Sequence, residues 1–333
     1  MGILNHFANK NRVKSYLDSA DNFIDDKRYE KALNCYNYIL KLEPENPFAL
    51  YGKGWTLSEL GQNNEVLEWV NKLLDAEPKN VDGWYLKGNN LNLLGRFEEA
   101  LQCFNKALKL EPDNSNVWHS KGLAYSELGK FDEALKCFNK ALKLEPDNSN
   151  VWHSKGLAFS ELGKFDKALK CYDKLLKLNP GDVNGWINKG TAFSDLGKFY
   201  EALKCYDEAL KYDSSNSLIW DNKGTVLAKM GKHETSLKCF NKALTLDPND
   251  NEAYYNKGLA LIQLDKNVKA LNCLNKSLDI DSENEDAWFL KGVALVELQR
   301  SEEALKCYNK ALDLKTDFEL AQRAKNKILS TQK

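Results

Sequence analysis

The sequence predicts an all-α solenoid, in which nine helix-turn-helix units follow one another and a single C-terminal helix closes the array. Three observations predict it. Ser115–Asn148 laid over Ser149–Asp182 matches at 26 of 34 positions, and Cys103–Ala124 recurs letter for letter as Cys137–Ala158. Self-similarity at such a period marks one supersecondary unit repeated. Each block also holds two segments of helical apolar spacing: Trp118, Gly122 and Tyr125, then Ala134, Phe138, Ala141 and Leu142. Finally, Gly and Pro punctuate these segments at constant offsets.

Stepping by the period from Ser115 gives units at 13–46, 47–80, 81–114, 115–148, 149–182, 183–216, 217–250, 251–284 and 285–318. In the fourth, helices are expected at about 116–128 and 131–144. Gly129 suits a left-handed residue just past a helix end, and Pro146 cannot continue the second helix. Mid-helix glycines recur from Gly54 to Gly292, each costing about 1 kcal/mol against Ala, so a close contact must compensate. Ala32, Ala100, Ala134, Ala168, Ala202, Ala270 and Ala304 mark a second tight slot. Some units depart from the pattern. Val66, Val70 and Asn63 alter the second, where Gly52 beside Gly54 predicts a weak first helix. Ser236 replaces Ala, Asp265 and Gln299 replace the turn Gly, and Ser214, Ser282 and Thr316 replace Pro. Residues 1–12 form an N-terminal segment, with Ile3, Leu4 and Phe7 placed to fold over the first unit. Residues 319–333 form a capping helix and tail, with Leu320, Ala324 and Ile328 as its apolar stripe.

Composition bounds the function. Lys and Arg (47) nearly cancel Asp and Glu (48), so bulk charge gives no nucleic-acid or anionic-membrane footprint. No apolar run approaches the roughly 18 residues of a membrane span. The N-terminus lacks a secretory pattern, and His6 breaks the myristoylation motif; a cytoplasmic location is the expectation. The eight cysteines, from Cys35 to Cys307, share one slot. Stacked helices sit about 9–10 Å apart, too far for a disulfide, so the thiols read as small buried side chains.

Trp118, Lys121-Gly122, Tyr125, Gly129, Ala134, Phe138, Ala141 and Pro146 resemble the tetratricopeptide repeat (TPR) pattern, with Lys121 at a position that is Leu there. The resemblance covers nearly the whole chain. It implies a right-handed superhelix whose first helices line a concave face and present slots two, five, six, nine, twelve and thirteen to a partner. On that mapping the fifth slot includes Tyr51, Tyr85, His119, His153, Tyr255 and Phe289, and Trp55 is at the ninth. Rings on a preformed groove are good anchors. Asn188, Asn222 and Asn256 share the sixth slot, and an amide can pair with an extended backbone; ordinary polar surface explains them equally well.

These slots are rich in carboxylates, among them Asp21, Glu59, Asp82, Asp221 and Asp286, against Lys14 and Lys229. A basic or neutral segment is therefore the expected partner. A lysine ladder from Lys53 to Lys291 would weaken that expectation if its heads reached the groove, although burial of the stems with the heads in water is the favoured reading. No fifth slot holds Lys or Arg, which argues against a carboxylate clamp of the chaperone type. No phosphate loop, nucleophile elbow or zinc-protease motif occurs, and His119 with His153 lacks a third metal ligand. The sequence thus reads as a noncatalytic protein-interaction scaffold with no cofactor, nucleic acid or membrane partner. Self-association, and service as an accessory to a separate enzyme, stay open as alternatives.

Overall fold

The computed structural model describes residues 2–331, with side chains from 10 to 330. Among these residues there are helices and no strands. The chain divides into two compact units, Met1–Lys164 and Phe165–Lys333.

The first unit holds α1 (Gly2–Asp25), α2 (Tyr29–Leu42), α3 (Pro47–Glu59), α4 (Asn63–Ala76), α5 (Val81–Leu93), α6 (Phe97–Leu110), α7 (Ser115–Glu127), α8 (Phe131–Leu144) and α9 (Ser149–Glu161). Each helix packs on the next, and α3, α5, α7 and α9 also touch in succession. First helices therefore form one layer and second helices another. The second unit repeats this arrangement. It holds α10 (Phe165–Leu178), α11 (Val183–Asp195), α12 (Phe199–Tyr212), α13 (Ser217–Lys229), α14 (His233–Leu246), α15 (Asn251–Ile262), α16 (Asn267–Ile280), α17 (Glu285–Glu297), α18 (Ser301–Leu314) and α19 (Glu319–Thr331). In it α11, α13, α15 and α17 touch in succession. Both units are all-α solenoid stacks.

Most first helices start at side-chain caps, α13 being an exception. Asn46, Asn80, Asn114 and Asn148 accept the backbone N–H three residues on at 2.8–3.3 Å, and Asp182, Asp250 and Asn284 do so in the second unit. Each such bond satisfies a donor the helix cannot. The cap and Pro47 at the first turn give α3 its full length, despite Gly52 and Gly54. Most second helices carry acidic residues in the first turn instead, such as Glu98 and Glu99 in α6. The Trp118 indole donates to the Pro112 carbonyl at 2.8 Å and fastens the inter-repeat turn. Because the acceptor is backbone, Trp220 and Trp288 make the same bond to Ser214 and Ser282.

The contact expected at the mid-helix glycines is a side chain from the second helix of the same repeat, a ring at Gly88, Gly122, Gly190, Gly224 and Gly292, Val70 at Gly54 and Leu274 at Gly258. A Cβ on Gly88 would fall 2.5–2.9 Å from the Phe104 ring, and one on Gly224 would fall 2.6 Å from Phe240. Ala134 and its equivalents are fully buried. Ser236 occupies that slot with its hydroxyl donating to the His233 carbonyl at 2.8 Å. All eight cysteines are buried and free, and burial raises the pKa of Cys35, Cys103, Cys137, Cys205, Cys239, Cys273 and Cys307, to about 11 for Cys137 and Cys205.

The ends differ from expectation in detail. α1 runs without a break through residues 2–25, while the side chains of Ile3, Leu4 and Phe7 lie outside the described residues. In α19 the inward positions are Ala321, Ala324 and Ile328, led by Phe318, and Leu320 is 57% exposed. Phe318, anchored just before the helix, sets a phase that turns Leu320 outward.

Two stability predictions follow from this packing. Ala134→Leu overpacks a sealed slot and should cost about 1–3 kcal/mol in a denaturant melt. At the turns, Gly129 has φ 68° and its replacement in the ninth repeat, Gln299, has φ 60°, a region costing an L side chain about 1–2 kcal/mol. Gln299→Gly should therefore raise the melting midpoint and Gly129→Ala should lower it. Equal midpoints would refute the assignment.

Candidate functional site

In the first unit, the predicted anchors Tyr51 and Trp55 come together in a cavity of ≈ 340 Å³ with Leu17, Asp21, Ile24, Phe48, Gly52 and Tyr36. α1 and α3 supply the walls. α2 supplies Tyr36 beneath Gly52, whose Cβ would lie 2.7 Å from the Tyr36 hydroxyl. Tyr29 holds the Trp55 indole edge-on, with ring centres 6.1 Å apart. Burial raises the Tyr51 pKa, helped by the charge of Asp82. The sequence reading missed Phe48, which is 71% exposed. Its signal was available, since it holds slot two of the second repeat.

The other candidates divide between face and core. Tyr85 is half-buried, 6.4 Å from Phe104, with its hydroxyl 3.5 Å from Ser120 Oγ. His119 packs 5.8 Å from Phe138, and its Nε2 lies 3.0 Å from Ser154 Oγ. Burial lowers the His119 pKa. His153 is half-buried on the next first helix. Among the described residues no three His, Cys, Asp or Glu side chains gather as a metal site.

In the second unit Asn188, Asn222 and Tyr255 are half-buried on first helices, and burial plus the charge of Asp286 raises the Tyr255 pKa. Asn256 donates its amide to both carboxylate oxygens of Asp221 at 3.3 and 3.2 Å, so it is engaged within the protein. Phe289 lies between Tyr308 and Phe318, with ring centres 5.8 and 5.2 Å away. Its ring packs into the end of the array. A second cavity, ≈ 310 Å³, includes Thr225, Lys229, His233, Asn256 and Gln263. Thr225 Oγ1 and His233 Nδ1 are buried there without hydrogen-bond partners.

Three lysines of the ladder reach the second helix of the preceding repeat. Lys53 donates to Asn37 at 2.6 Å, and Lys189 and Lys223 pair with Asp173 and Asp207 at 2.7 and 2.5 Å. Lys121, Lys155, Lys189 and Lys291 also lie 4.8–5.1 Å over the tryptophan of their own repeat. Their heads leave the first-helix carboxylates unneutralised. Asp21, Glu59, Asp82, Glu252 and Asp286 are exposed.

Asp221 is the exception, only 5% exposed. Burial pushes its pKa up to about 7, the Asn256 hydrogen bond acts against the rise, and Asp250 and Glu252 add to it. Because the folded value exceeds the unfolded one, protonation favours the fold. This contribution is full below about pH 4 and disappears as pH rises through about 7. Asp221→Asn should therefore flatten the stability profile between pH 4 and 7 and stabilise the chain above pH 7 by on the order of 2 kcal/mol. Parallel profiles for the two proteins would contradict this.

TPR family models match along the array. "Cytochrome c-type biogenesis protein H TPR domain" matches residues 70–183, and "Tetratricopeptide repeat" matches 23–89, 183–216, 252–284 and 285–318. No curated protein matches the sequence. Among solved structures, a chain of the APC/C hetero-tetramer Cut9-Hcn1 aligns with TM-score 0.61 and 19% identity over 90% of this chain. This chain covers 59% of its length. A tetratricopeptide repeat protein from Parabacteroides merdae aligns with TM-score 0.59 and 18% identity, covering 75% of this chain and 99% of that one. pilF of Pseudomonas aeruginosa gives 0.56 and 18%, covering 64% and 97%. At these identities the likeness is one of fold. With repeat models spanning 23–318, glycine–ring contacts inside the repeats and a matching fold, the chain belongs to the tetratricopeptide repeat family.

Proposed function

We propose that this protein is a noncatalytic scaffold that binds a segment of a partner protein on its first-helix face, with Tyr51, Trp55 and Tyr85 as anchors in the first unit. The observation that carries the reading is the cavity joining Tyr51 and Trp55 to the exposed Phe48. Exposed rings beside a preformed pocket supply contact area at low ordering cost. Asn222 on one of the second unit's first helices is half-buried and carries an amide of the kind that can pair with an extended backbone.

The exposed carboxylates favour a basic or neutral segment. The lysine heads are held on the other side of the first helices and do not offset them. Replacing Tyr51, Trp55 and Tyr85 together by Ala should abolish partner capture from native lysate with helical circular dichroism intact. Replacing the exposed second-helix residues Tyr200 and Val268 should leave capture unchanged, and added salt should weaken it. Capture that survives the triple change would sink the reading.

The match of residues 70–183 to the TPR domain of a cytochrome c-type biogenesis protein favours a second reading, that of an accessory subunit to a separate enzyme. In that case an activity would co-purify with the wild-type chain and be lost with the triple variant.

A further inference from the structure

The cavity between α1, α2 and α3 has a chemistry more specific than that of an apolar slot. Its walls are Leu17 and Ile24 on one side and the rings of Phe48, Tyr51 and Trp55 on the other, and its one charged lining residue is Asp21. Its floor is the edge of Tyr36, a side chain only 3% exposed, reached because the sixth slot of this repeat is glycine. Elsewhere that slot carries a side chain, such as Leu86, Ser120 or Asn222. The Tyr36 hydroxyl has no hydrogen-bond partner among the described residues, whereas the equivalent hydroxyl of Tyr206 lies 3.2 Å from Thr191 Oγ1. Burial, helped by the charge of Asp21, pushes the Tyr36 phenol's pKa up to about 12 and holds it neutral. Asp18, Asp25 and Glu59 on the same helices are exposed and add no cation.

We propose that this cavity is an arginine-binding pocket, in which the guanidinium of a partner protein's arginine pairs with Asp21, donates to the Tyr36 hydroxyl and stacks on the aromatic wall. Resting on the first-helix reading above, this names the residue the face selects. A guanidinium is planar, always charged, weakly hydrated and rich in donors, so it meets a carboxylate, a hydroxyl and a ring face together. An ammonium is a compact, strongly hydrated point charge that cannot do so. The arginine stem lies against Leu17 and Ile24 as apolar area.

The test uses the full chain and capped pentapeptides Ac-Ala-Ala-X-Ala-Ala-NH2, with X as arginine, lysine or citrulline. Binding is read from the Trp55 indole N–H resonance, assigned with Trp55→Phe. The arginine peptide should shift that resonance and bind about tenfold more tightly than the citrulline peptide, which has the same shape without charge. Asp21→Asn should bring arginine to the citrulline level, and Tyr36→Phe should weaken arginine about threefold. Equal binding of arginine and citrulline, equal binding of lysine, or no response at Trp55 overturns the proposal. Concentration-dependent self-association lost in Asp21→Asn would assign the pocket to an arginine of a second copy and also overturn it. If the peptides fail while the triple alanine variant still loses capture, the first-helix reading stands and only the arginine assignment falls.

Discussion

The structure depends on one contact repeated along the chain, a glycine of the first helix lying against a large side chain of the second, a ring in most repeats and Val70 or Leu274 at Gly54 and Gly258. With no Cβ at Gly88, Gly122 or Gly224, the rings of Phe104, Phe138 and Phe240 sit on helix backbone. The helix pair closes to a spacing that a larger residue forbids. The sealed Ala slot on the second helix completes the same joint. Once that joint is made, the side of the first helix facing the ring is fully used. Slot five borders the ring, as Tyr85 does Phe104 and His119 does Phe138, and in the second repeat Phe48, Tyr51 and Trp55 emerge together around one cavity.

The same geometry separates charge. Lysines one residue before the mid-helix glycines lie back across tryptophan and against the asparagine or aspartate of the preceding second helix. Their stems are buried and their heads are held by partners outside the first-helix face. Carboxylates in slots two, nine and thirteen have no such partners across the helix and stay in water. A chain of nearly zero net charge thereby acquires an acidic first-helix face and a second-helix side carrying the cations. The bulk balance conceals this asymmetry, which is what a charged partner would meet.

How much was legible beforehand follows from the range of each signal. Helix positions were readable because Gly, Ala and Pro mark them locally: the fourth repeat's helices, expected at about 116–128 and 131–144, lie at Ser115–Glu127 and Phe131–Leu144. The direction of the lysine heads was not, since it depends on residues sixteen positions away, such as Asn37 for Lys53. Phe289 has the sequence signature of an anchor, and Phe318, the last residue of the ninth repeat, packs with its ring centre 5.2 Å from it. Asn256 belongs to a three-member asparagine column, yet its amide is taken by Asp221 of the previous repeat. The Tyr36 floor was hidden for a related reason: a glycine in one repeat exposes a ring belonging to another.

A site-specific crosslink shows which helix layer a bound protein touches. A photoactivatable residue placed at 48, on the first-helix face, and separately at 200, on a second helix, would report which side a bound protein touches. Both native side chains, Phe48 and Tyr200, are largely exposed, so neither replacement disturbs packing. Adducts with a partner are expected at position 48 and none at position 200; adducts at 200 alone would rule out binding on the first-helix face.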